Sequence, residues 1–79
     1  MEKELVMQKI VPILQKLTDE EEIHPDDELL DDLGISSMDI LMLMTILEEE
    51  FHTSVSESQL RRIVTVEDMA DMITDTLDR

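Results

Sequence analysis

Cysteine, tryptophan and tyrosine are absent from this 79-residue chain, and there is one phenylalanine (Phe51), one glycine (Gly34) and two prolines. Without cysteine there is no disulfide framework, no thiolate metal site and no side-chain thiol nucleophile. With a single glycine there is no glycine-rich phosphate loop. No apolar run approaches the ~20 residues of a membrane-spanning helix, and Met1-Glu2-Lys3-Glu4 lacks the basic-then-apolar pattern of a secretory leader, so a cytoplasmic protein is expected. Cations are scarce as well: 6 Lys and Arg stand against 21 Asp and Glu, a net charge of −15. Nucleic acid and anionic membrane surfaces would repel such a chain. A basic protein partner is the natural expectation, and self-repulsion favours a monomer.

What is present is helical periodicity. High charge with few aromatics can signal disorder, but apolar residues make up 42% of the chain and recur at helical spacing. Seven methionines, with Leu, Ile and Val, are expected to fill one small core. The length allows a single domain, residues 1–79. Over Glu2–Leu17, the residues Val6, Ile10, Ile13, Leu14 and Leu17 mark one helical face. Pro12 lies off that face and is expected to bend the helix rather than break it. Thr18–Ser36 has no periodicity and reads as a long acidic loop pinned by Ile23, Leu29, Leu30, Leu33 and Ile35. Connections of this length are often functional. Ser37–Phe51 reads as the central helix, apolar on most faces and so expected to be largely surrounded. Ser36 and Asp39 form its capping-box signature. A short helix over Ser56–Arg62 and a last helix over Val66–Leu77, capped by Thr65 with Asp68 at its third position, complete the chain. No period-2 tract suggests a strand. The fold class is all-α: a small four-helix bundle with a short third helix and a long first loop.

Enzyme constellations are not found. His24 and His52 are isolated and read as surface residues rather than metal ligands. The acidic loop does not match a calcium-binding EF-hand loop: counted from Asp26, position six is Asp31 and position twelve is Ser37. Between Thr18 and Leu60 lie 14 acidic residues and no Lys or Arg, so the molecule is polarised. The segment Asp31-Asp32-Leu33-Gly34-Ile35-Ser36-Ser37-Met38-Asp39 sets two hydroxyls at a helix start inside this acidic zone. Ser36 serves as the cap. Ser37 then points outward at the first helical position, where a phosphate is also well tolerated. The residues alone leave an idle and a modified Ser37 equally open.

Asp32-Leu33-Gly34-Ile35-Ser36-Ser37-Met38-Asp39, followed by Leu47-Glu48-Glu49-Glu50-Phe51 and by Ile63-Val64-Thr65-Val66-Glu67-Asp68, resembles the acyl carrier protein family over nearly the whole chain. The resemblance implies a non-catalytic carrier. It places a covalent 4′-phosphopantetheine arm, derived from coenzyme A through a phosphopantetheinyl transferase, on Ser37. The arm would supply the thiol that the chain lacks and carry acyl groups as thioesters between separate enzymes of fatty-acid or related synthesis. It further implies an acyl pocket lined by Leu47, Val55, Leu60 and Ile63, which are also ordinary core positions. Asp39, Glu48 and Glu49 match an acidic face that meets basic patches on acyl-transfer and synthase enzymes. Three departures modify that face. Ser36 replaces the usual Asp, Met42 stands where an acidic residue is common, and Arg61 and Arg62 occupy a usually acidic helix end. The alternatives are an aminoacyl or peptidyl carrier, an acidic helical adaptor for a basic protein, and, more weakly, a calcium-responsive protein.

Overall fold

The computed structural model describes residues 2–78. Four helices follow in order: α1 (Lys3–Thr18), α2 (Ser37–Phe51), α3 (Glu57–Arg62) and α4 (Val66–Leu77). The all-α expectation holds, and among the described residues the only β-type pairing is an isolated bridge between Glu28 and Thr65. Helix α1 runs unbroken through Pro12, whose ring is exposed. Val6, Ile10 and Leu14 form its fully buried stripe, and it packs mainly on α4. Lys3 ties the start of α1 to α4 through ion pairs with Glu67 (3.1 Å) and Asp71 (3.0 Å). Those two hydrogen-bonded carboxylates, Asp71 foremost, raise the pKa of the Lys3 ammonium.

Three helices begin with the same device. Ser36, Ser56 and Thr65 each accept a hydrogen bond from the backbone N–H three residues on, and Asp39, Gln59 and Asp68 accept one back from the cap's own N–H. Each capping box satisfies amides that the helix cannot pair internally. Asp68 also accepts from the Val64 N–H. Its bonds from the Thr65 and Val64 amides lower its pKa.

The long acidic loop is ordered by its backbone. Leu29 N–H donates to the Val64 carbonyl, while Val66 and Glu67 N–H donate to the carbonyls of Asp27 and Pro25. These bonds lash the loop to the start of α4. Leu29, Leu33 and Ile35 enter the core as expected, but Leu30 is 61% exposed. The methionines also depart from expectation. Among the described residues only Met69 is fully buried, Met7, Met44 and Met72 pack at the core's edge, and Met38 and Met42 face solvent, while Met1 lies outside the described residues. Leu, Ile and Val, together with Phe51, supply most of the core instead.

Candidate functional site

The approach to α2 is built from a turn and a cap. Gly34 takes φ +70°, a conformation that side chains other than glycine's strain to adopt. Ile35 follows into the core, and Ser36 sits in extended backbone at φ −89°, ψ 171°. Ser36 Oγ accepts from Asp39 N–H at 3.2 Å, and Asp39 Oδ2 accepts from Ser36 N–H at 2.9 Å. Ser36 is therefore occupied as a cap. Ser37 opens the helix, is exposed, and its hydroxyl makes no hydrogen bond among the described residues. Of the two adjacent serines, only Ser37 presents a free hydroxyl at the positive end of the α2 dipole.

Beside Ser37 lies a pocket of about 140 Å³. Its walls are Leu29 and Leu30 of the loop, Ile40 of α2, Leu60 and Arg61 of α3, and Ile63 just beyond. The structure thus brings Leu60 and Ile63 to the serine. It does not bring Leu47 and Val55, which are 0% and 4% exposed in the close-packed core and do not line the pocket. Ile40 was legible as a neighbour, since residues three apart share a helix face. Leu29, Leu30 and Arg61 were not, because they arrive through the path of the loop and the placement of α3.

The outer face of α2 corrects the expectation of a surrounded helix. Met38, Leu41 and Met42 are 80%, 47% and 55% exposed. Helix α2 buries only the stripe of Ile40, Leu43, Leu47 and Phe51. Its neighbours, chiefly α3 and α1, are too few to cover the rest. An open groove of about 480 Å³ runs from this face toward α1, lined by Ile13, Lys16, Leu17, Asp39, Met42 and Ile46.

The three acidic residues of this region differ in their freedom. Glu49 is exposed and makes no hydrogen bond or ion pair among the described residues. Asp39 is half-buried, with Oδ2 held by the cap. Glu48 is half-buried too, and its Oε2 accepts from Val55 N–H at 3.0 Å, bracing the turn between α2 and α3. That brace was invisible in sequence, since it joins groups seven residues apart across a non-helical connection.

Comparison with known proteins identifies the family. Residues 4–73 match the family described as a phosphopantetheine attachment site. An acyl carrier protein from Coprothermobacter proteolyticus is 35% identical over 79 residues, covering 98% of this chain and 96% of that one. A solved structure from Mycobacterium tuberculosis, assigned as an acyl carrier protein, superposes with a TM-score of 0.81 at 28% identity, covering 89% of this chain and 96% of that one. The residues at the α2 start fit a group attached through a phosphodiester. An unpartnered hydroxyl stands at a helix N-terminus, where anionic oxygens are favoured, and an apolar pocket adjoins it.

Proposed function

The chain belongs to the acyl carrier protein family, whose prosthetic group is a covalently attached 4′-phosphopantetheine, and from that premise we propose that Ser37 carries the arm and that the protein shuttles acyl intermediates between separate enzymes of fatty-acid or related synthesis. When attached, the arm supplies a terminal thiol on which acyl groups are held as thioesters. Everything else falls to the chain's own residues. The Gly34 turn and the Ser36–Asp39 capping box fix where α2 begins, and so hold the Ser37 hydroxyl outward for a phosphopantetheinyl transferase. Leu60 and Ile63, with Ile40, Leu29 and Leu30, offer an apolar surface next to that hydroxyl. Leu47 and Val55 act behind this wall as core.

Docking belongs to the outer face of α2. Glu49 and the unbonded oxygen of Asp39 offer negative charge to basic patches on partner enzymes. Met42, flanked by Met38 and Leu41, adds an apolar contact where charge is common in the family. Glu48 contributes charge while also bracing the Val55 turn. The reading rests above all on one observation: Ser37 has an exposed hydroxyl without a hydrogen bond while its neighbour Ser36 is spent as a cap.

The test is intact-mass spectrometry after incubation with coenzyme A and a phosphopantetheinyl transferase, with thermal melts in parallel. Ser37→Ala is expected to fold normally and gain no mass. Ser36→Ala is expected to gain the mass of the arm but lose about 0.5–2 kcal/mol of stability, typical of a deleted cap. The reverse pattern would move the attachment by one residue. No gain by any form, with several transferases, would favour the adaptor reading.

A further inference from the structure

Arg61 sits on the wall of the Ser37 pocket, which is an unusual place for a cation in this molecule. Between Lys16 and Arg79 the sequence holds only two Lys or Arg residues, Arg61 and Arg62. Arg62 lines a different groove, with Gln59, Asp68, Asp71 and Asp75. Arg61 alone shares a surface with the serine. Its guanidinium is tethered within α3, where Nε (2.8 Å) and Nη2 both donate to Oε1 of Glu57. Both bonds end on one oxygen, so the Nη1 end makes no hydrogen bond among the described residues. An exposed pair of this kind, four residues apart on a helix, contributes little to stability. What it does is pre-orient a planar fork whose remaining donors match phosphate oxygens.

A phosphodiester on the Ser37 oxygen introduces a new negative charge into the most acidic part of the chain. Asp39 is close by on α2, and Glu28 and Asp31 line the hollow on the other side of Arg61. The helix dipole offsets part of that charge; the guanidinium on the shared pocket wall is the group placed to offset the rest. We propose that Arg61 is a positioning residue for the arm: it pairs with the phosphodiester carried by Ser37 and keeps the root of the arm against the pocket rather than free in solvent. This rests on the reading that Ser37 is the attachment residue.

The experiment compares the unmodified and loaded full chain, with loading confirmed by intact mass and its position by fragment mass. The Arg61 Nη1 signal in nitrogen-15 NMR, from the donors that Glu57 leaves free, is expected to shift on loading, and the exchange of its protons with water to slow. The phosphorus-31 signal of the loaded arm is expected to move in Arg61→Gln, to return toward wild type in Arg61→Lys, and to stay put in Arg62→Gln. High salt should erase these differences. An Arg61 signal identical in the two wild-type forms overturns the proposal, and that comparison stands whether or not Arg61→Gln can be loaded. A signal that moves only after a carboxylate-bearing acyl group is added also overturns it, since the partner would then be the cargo. Loading at another residue, or no loading at all, defeats the Ser37 reading itself and is distinguished by mass alone.

Discussion

Met42 shows how one side chain can separate a docking role from a packing role. It is 55% exposed and lines the open groove toward Ile13 and Ile46 without entering the core. Substitutions at such positions usually change stability by no more than about 0.5 kcal/mol. Met42→Glu is therefore expected to melt like the wild type, couple better to fatty-acid enzymes that expect an acidic residue there, and couple worse to the native partner. Steady-state rates with each enzyme, set beside the melts, check this; a large drop in melting temperature would return Met42 to the core. Glu48 cannot serve as a similar probe, because reversing its charge also removes the acceptor for Val55 N–H. Glu49, exposed and without a hydrogen bond or ion pair among the described residues, reads docking alone. Much at this scale was legible in the sequence. Ser36 was readable as a cap because its side chain and that of Asp39 obey a local three-residue rule. The Glu48 brace and the place of Arg61 on the Ser37 pocket follow no local rule, since each depends on how the chain returns through α3.

At the scale of elements, periodicity and caps located all four helices, with α1 displaced by one residue at each end from the span the sequence suggested. What periodicity misjudged was the environment of α2. An apolar tract states which residues can be buried, whereas the number of neighbouring helices decides which of them are, so Met38 and Leu41 remain outside. The start of α4 yields a prediction with a definite pH signature. Asp68 accepts from Thr65 and Val64 N–H, each at 3.1 Å, and these bonds hold its pKa below the ordinary carboxylate value. A carboxylate whose pKa is lower folded than unfolded adds stability above its unfolded pKa, and that increment disappears as pH falls through the folded value. Asp68→Asn is therefore expected to melt lower than the wild type at neutral pH. The gap should close in acid, as pH drops below the usual carboxylate range near 4, because protonated Asp68 loses the same ionic advantage. Paired thermal melts from pH 7 to pH 3 measure the closing gap, and a gap constant across that range would mean that the Asp68 charge contributes nothing to the cap.

For the whole molecule the governing quantity is the excess of 15 negative charges in a body measuring 30 × 23 × 19 Å. The sequence made the sign of this effect plain, and the dimensions supply its range. At about 0.01 M salt the screening length is roughly 30 Å, so charges interact across the entire protein; at physiological ionic strength it is roughly 8 Å, and only near neighbours do. Added salt also weakens attractions, and the described residues contain several: Lys3 with Glu67 and Asp71, Lys9 with Glu50 at 3.9 Å, and Arg61 with Glu57. These are exposed pairs, and solvent screening leaves each of them little to contribute. The repulsion among the remaining carboxylates is long-ranged and summed over many pairs, so screening removes more repulsion than attraction. The melting temperature is therefore expected to rise between low and physiological sodium chloride at neutral pH. Divalent cations should raise it further at equal ionic strength if they bind the folded acidic surface better than the unfolded chain. Calorimetry at fixed pH across a salt series is the check. A melting temperature indifferent to salt would mean that the acidic loop, lashed to α4 through the carbonyls of Pro25 and Asp27 and the N–H of Leu29, keeps its carboxylates no closer together in the native state than they are in the unfolded chain.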